Sequence, residues 1–166
     1  LISKIKSNLL GSKLIIFDLP EVNACQTYYL SQTFNNAIIK GYKEFLKEGS
    51  NIIKTNFDFL ILPGWVANDL GHDTVDSYIN VRSMMEMSID NLDFYFEAIQ
   101  ASLKTGGSFS CFNRYQKPVG DFQNKLSLYP FDDDWKVLLS QPSTFQPRIH
   151  QFVLKRMQKN SGLTFR

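Results

Sequence analysis

Cysteine and histidine are scarce in this chain, with two of each among 166 residues. Cys25 and Cys111 stand far apart, and neither belongs to a CxxC or a Cys/His spacing, so a zinc site and a disulfide framework are excluded as organising features. Both thiols lie in apolar surroundings, "CQTYYL" and "SFSCFN", and read as buried free cysteines in a reducing, cytoplasmic setting. No apolar run is long enough to span a membrane, and there is no signal-peptide pattern. Blocks of like charge are missing too. The 18 basic and 16 acidic residues are scattered and leave a net charge of +2, so nothing here points to nucleic acid or an anionic membrane as partner. Repeats and low-complexity segments are absent.

What remains has an ordinary globular balance, 43% hydrophobic and 20% charged, and a length that suits one domain with a sizeable core. Leu1, Ile2, Ile5, Leu9 and Leu10 recur at helical spacing, with Gly11 as the stop. "KLIIF" does not alternate and predicts a strand buried on both faces. "PEVNACQTYYLSQTF" predicts a helix with Pro20 in its first turn and Val22, Cys25, Tyr29 and Leu30 as its inner stripe. "NNAIIKGYKEFLKEGSN" reads either as a helix ending at Gly49 or in part as a short strand around Ile38. Strands are expected over Phe57 to Leu62 and over Val75 to Val81, with the polar loop "NDLGHDT" between them.

The strongest helical pattern is "SIDNLDFYFEAIQASLKTGGSF", where Leu92, Phe96, Ile99 and Leu103 share a face, Asp90 caps the start and Gly106-Gly107 ends the segment. "SFSCFN" follows as a strand, then a long polar loop through "DDD", then two strands around Pro142 that form a hairpin. Strands alternating with helices predict an α/β fold with a mostly parallel sheet and right-handed crossovers. The last two strands, with no helix between them, predict an antiparallel edge at the carboxyl terminus.

Asp18 ends an apolar strand. A carboxylate is costly to bury, so it belongs at the carboxyl rim of the sheet, where open α/β sheets bind ligands; it also suits the cap of the next helix. Trp65, after Pro63 and Gly64, reads either as a ring that stacks on a ligand or as a partly buried core residue. Glu86 lies between Met85 and Met87, and a carboxylate in apolar company invites a base role; it equally suits a pocket hydrogen-bonder or the surface of a first helical turn. His72 is a second candidate base, in a loop where a lone histidine is ordinarily solvated. Asn113 and Arg114 end the strand after the long helix. Arg114 reads either as a ligand for a sugar hydroxyl or acidic substituent, or as the partner of a carboxylate or helix end. His150 reads as structural, and Asp132 to Asp134 as a polar loop tip rather than a metal site.

"FDLPEV" resembles the second strand of class I S-adenosylmethionine-dependent O-methyltransferases, and "LKTGG" is similar to the "LKPGG" turn of that family, with Thr105 in place of proline. "DLPEVNACQTYYLSQTF", "INVRSMMEM", "YFEAIQASLKTGGSFSCFNR" and "HQFVLKR" follow one another as in a bacterial group of sugar O-methyltransferases. The resemblance implies a Rossmann-like sheet and S-adenosylmethionine as cofactor. Asp18 would accept hydrogen bonds from the ribose hydroxyls with Leu19 beside it, and Pro63, Gly64 and Trp65 would lie by the adenine. Asn80 and Val81 would border the cofactor, and Ser83, Asn113 and Arg114 a small-molecule or sugar acceptor.

The family carries an acidic residue and a GxGxG loop after its first strand, and this chain has neither ahead of "KLIIF". The chain also begins with leucine, so the expectation is a methyltransferase domain shortened at its N-terminus. Its uncovered sheet edges would favour a homodimer. The alternative is a degenerate Rossmann-like domain that serves as a binding or assembly unit.

Overall fold

The computed structural model describes residues 11–158, so the helix expected over Leu1 to Leu10 lies outside the described residues. The chain divides into two compact units, Leu1–Leu70 and Gly71–Arg166, each with its own sheet.

In the first unit β1 (Leu14–Asp18) is followed by α1 (Pro20–Thr33), β2 (Ile39–Lys40), α2 (Tyr42–Glu48) and β3 (Phe59–Pro63). The sheet is parallel in the order β1-β3-β2. Both readings of residues 35–49 hold at once, since a two-residue strand precedes a helix that stops at Gly49, whose φ of +56° favours glycine. α1 corrects the expected inner stripe. Leu30 is buried, but Val22, Cys25 and Tyr29 are exposed, and the less exposed face carries Asn23, Gln26 and Leu30. The reason is Asp18. Its carboxylate accepts from Gln26 Nε2 at 2.9 Å and its carbonyl from Asn23 Nδ2 at 3.3 Å, so the polar side chains turn inward. Cys25 is accordingly exposed rather than buried, whereas Cys111 is buried as expected.

In the second unit β4 (Val75–Val81) leads through a short 3-10 turn (Met84–Glu86) to α3 (Ile89–Ser102) and β5 (Leu103–Arg114). Next come a hairpin of β6 (Gln116–Val119) and β7 (Phe122–Lys125), then β8 (Trp135–Pro142) and β9 (Ile149–Arg156). The main sheet runs β4-β5-β9-β8, parallel between β4 and β5 and antiparallel beyond, as the closing hairpin implies. The β6–β7 hairpin replaces part of the expected loop; its sequence signal is Gly120-Asp121 between Val119 and Phe122, a two-residue turn with Gly120 at φ +58°. α3 is capped by the Ser88 hydroxyl, which accepts from the Asn91 N–H at 3.4 Å, not by Asp90, which sits in the first turn.

The core of this unit is largely aromatic. Phe96, Phe109, Tyr129, Phe131, Trp135 and Phe152 pack together with Leu92, Ile99 and Leu103, the residues of the expected helix face. Burial pushes the Cys111 thiol up to about 12, which leaves it protonated and unreactive in the fold.

The "TGG" segment lies inside β5 rather than in a loop. Gly106 takes φ +84°, and a Cβ on Gly107 would sit 2.7 Å from Leu103 Cδ1, 2.8 Å from the Lys104 carbonyl oxygen and 2.9 Å from that of Asp76. The glycine admits β4 to β5 where their register shifts between Val75 and Ser77. Gly107→Ala is expected to lower stability by about 1–3 kcal/mol, as overpacking against backbone does. A urea unfolding midpoint equal to that of the parent would refute this close approach.

Candidate functional site

Parallel pairing assembles the site residues of the first unit. Asp18 ends β1 opposite Pro63, which ends β3, so Asp18, Leu19, Pro63, Gly64 and Trp65 share one carboxyl rim. The Asp18 carboxylate accepts from the Leu19 N–H through one oxygen and from Gln26 Nε2 through the other, both at 2.9 Å. Each oxygen has two lone pairs, so each keeps one acceptor position. Asn23 Oδ1 and Gln26 Oε1 are also buried with no hydrogen-bond partner. At the rim itself the Asp18 carboxylate keeps acceptor positions that suit a group bearing adjacent hydroxyls. Trp65 is 57% exposed and meets Tyr42 edge-on, with ring centroids 6.2 Å apart. The ring is open to a ligand rather than part of the core. Tyr42 has no strong sequence signal beyond its place in the first turn of α2, after Gly41.

In the second unit the carboxyl ends of β4 and β5 bring Asn80, Ser83 and Asn113 into one network. Asn113 Nδ2 donates to Asn80 Oδ1 at 2.8 Å, and Asn80 Nδ2 donates to Ser83 Oγ at 2.5 Å. Asn80 Oδ1 also accepts from the Met84 N–H, and Asn113 Oδ1 from the Met85 N–H at 3.2 Å. Asn113 is 0% exposed, so its amide holds the Met84–Glu86 turn instead of meeting an acceptor directly. Asn124 on β7 completes the hold. It too is buried, and its Nδ2 donates to the Met84 and Met87 carbonyls at 2.9 Å. Sequence reasoning missed Asn124 because its segment read as loop.

The turn buries Met84 and Met85 but leaves the Glu86 side chain 51% exposed and ion-paired with Lys117 of β6. The apolar company that the sequence suggests for Glu86 is therefore absent: the methionines point inward and the carboxylate outward. Val81 is exposed at the end of β4, and Arg114 is half-buried at the end of β5. His72 is not brought to this rim. It precedes β4 and lines a cavity of about 280 Å³ with Asp73, Gln100 and Arg156. A seven-residue strand separates it from Glu86, a span of about 23 Å. Asp132 and Asp134 neutralise Arg156 at that end, which accounts for part of the acidic loop. His150 lies in β9, between Tyr115 Oη at 2.7 Å and Ser140 Oγ at 2.8 Å.

Among solved structures, one from work on the conversion of a disulfide bond into a thioacetal group during echinomycin biosynthesis matches with a TM-score of 0.63, over 96% of this chain and 72% of that one, at 10% identity. Mitomycin 7-O-methyltransferase MmcR matches with a TM-score of 0.56, over 93% of this chain and 45% of that one, at 11% identity. The fold is a methyltransferase fold. PigF with SAH matches similarly, with a TM-score of 0.55, over 94% of this chain and 46% of that one, at 11% identity. The chain thus spans less than half the length of the last two methyltransferase-fold neighbours. No family model and no curated protein matches the chain. Among the described residues no helix is long and apolar enough to cross a membrane.

Proposed function

We propose that the chain is the catalytic fold of an S-adenosylmethionine-dependent O-methyltransferase that acts on a hydroxyl of a sugar or glycan precursor. The observation that carries the reading is Asp18, a carboxylate at the carboxyl end of a parallel strand with an acceptor position left on each oxygen. Two vicinal ribose hydroxyls are the donors that suit it. Leu19, Pro63 and Gly64 surround the same rim, and Trp65 with Tyr42 offers aromatic surface to a base. Two fold neighbours, the mitomycin 7-O-methyltransferase MmcR and PigF with SAH, support this reading.

The bound cofactor supplies an electrophilic methyl group on a sulfonium. The chain's own part is to hold the acceptor in line and to take its proton, which is catalysis by orientation with base assistance. In the second unit this reading assigns Asn80 and Val81 to the cofactor, and Ser83 and Arg114 to the acceptor. Asn113 and Asn124 fix the turn that carries Glu86, the base in this reading, and Lys117 steadies its carboxylate. His72, beyond the other end of β4, takes no part.

Calorimetry with S-adenosylhomocysteine tests the reading. Asp18→Ala is expected to weaken binding by about 10- to 100-fold, the worth of one or two hydrogen bonds to a charged group. Equal affinity in parent and variant removes the ribose role. No binding by the parent favours the degenerate, non-catalytic domain.

A further inference from the structure

The two ends of the second unit's strands differ in how their charges are paired. At the amino ends of β4 and β5, and the facing ends of β8 and β9, stand Asp73, Asp76, Asp132, Asp133 and Asp134. The buried Arg156 there is held by Asp132 through both guanidinium ends, and Lys104 by Asp76 at 2.7 Å. At the carboxyl rim the arginines have no such carboxylate partners among the described residues. Arg82 follows β4, Arg114 ends β5 and Arg148 immediately precedes β9. Register places them close in the sheet: the Arg82 N–H donates to the Phe112 carbonyl at 2.9 Å, and Arg114 pairs with Ile149. Lys117 and Lys125 of the β6–β7 hairpin are further cations of this segment.

Two details single out these arginines, of which Arg82 and Arg148 are exposed. No ion pair or side-chain hydrogen bond joins Arg82, Arg114 or Arg148 to another described residue, although Arg114 is half-buried. Arg82 and Arg148 also hold φ values of +63° and +76°, and only one other non-glycine among the described residues, Asp73, has a positive φ. Such backbone is unfavourable for residues with a Cβ and gathers where a ligand site needs a particular aim. The carboxylates near this rim are Glu86, already tied to Lys117, Asp121 at the hairpin turn, and Asp90 and Asp93 at the start of α3. None of them engages the three arginines.

We infer that this rim of Arg82, Arg114 and Arg148 recognises an anionic group on the acceptor, so that the substrate is a sugar carrying a phosphate or a carboxylate rather than a neutral one. The inference rests on the acceptor reading proposed above and names its chemical class. Guanidinium groups without partners suit this work because their planar donors match phosphate and carboxylate oxygens in pairs.

Calorimetry of the full chain with glucose 1-phosphate, glucuronate and glucose tests it. One or both anionic sugars are expected to bind at least about tenfold tighter than glucose, by the worth of one charge-assisted pair, and less tightly as salt is raised. The first two ligands separate phosphate from carboxylate recognition. Arg114→Gln, and independently the exposed Arg82→Gln, should each remove most of that preference, while Lys104→Gln on the opposite rim should leave it. Thermal melts of each variant identify any loss that comes from unfolding. Equal binding of all three sugars, no binding of any, or folded arginine variants that keep the preference would overturn the inference. S-adenosylhomocysteine binding by the parent without anion preference leaves the methyltransferase reading standing and removes this one. Anion preference without S-adenosylhomocysteine binding does the reverse.

Discussion

Phe109→Ala is expected to lower the stability of the second unit by about 3–5 kcal/mol, the range for truncating a buried aromatic side chain. Phe109 is 0% exposed at the middle of β5, the strand that pairs with both β4 and β9. Its ring meets Phe96, Phe131, Trp135 and Phe152 at centroid distances of 5.9, 6.3, 6.1 and 5.8 Å. These rings come from α3, from the segment before β8, and from β8 and β9, so one side chain touches most layers of the unit. Removing it loses burial and leaves a cavity that stiff neighbours fill poorly, because aromatic rings have few alternative rotamers. Urea unfolding followed by tryptophan fluorescence reads the effect directly, since Trp135 sits on that ring. A loss below about 1 kcal/mol would mean that the aromatic cluster repacks freely, contrary to the geometry seen.

The second unit was the more legible in the sequence, and periodicity explains why. Leu92, Phe96, Ile99 and Leu103 repeat at helical steps because one face of α3 packs on the sheet, and all four are buried. β4 has the bounds that its alternation with turn signals suggests. The β6–β7 hairpin was hidden because its strands are four residues each and largely polar, too short for a pattern to emerge.

In the first unit the apolar count of α1 misled. Val22, Cys25 and Tyr29 form a plausible stripe, but a carboxylate at the end of β1 recruited Asn23 and Gln26 to the inner face, a tertiary effect that no helical period records. The site divides in the same way. The strand-end positions of Asp18 and Arg114 were visible because strand ends are legible. Asn124 and Lys117 were not, because their roles depend on which turn the hairpin happens to meet. Glu86 shows the limit of reading neighbours along the chain: Met85 is beside it in sequence and faces the other way in space.

Asn113 offers the second large effect, and it separates fold from function. Its amide joins β5 to the turn after β4 through Asn80 and the Met85 N–H, and it donates to Cys111 Sγ at 2.8 Å. Asn113→Ala leaves the Met85 N–H buried without an acceptor, at a cost of about 1–3 kcal/mol when no replacement is found, and takes from Asn80 Oδ1 one of its two donors, the Met84 N–H remaining. The expected result is a stability loss of that size together with a loosened Ser83–Glu86 segment. Hydrogen exchange reads the second part, with faster exchange at Met84, Met85 and Glu86 and little change in α3. Asn80→Ala breaks the same network from its other side. The two substitutions should therefore combine to much less than their sum, as residues sharing one hydrogen-bonded unit do. Additive losses, or unchanged exchange at the turn, would show that the turn is held by its buried methionines alone. In that case the position of Glu86 would depend on packing, and the half-buried Asn80 at the end of β4 would be free to serve a ligand.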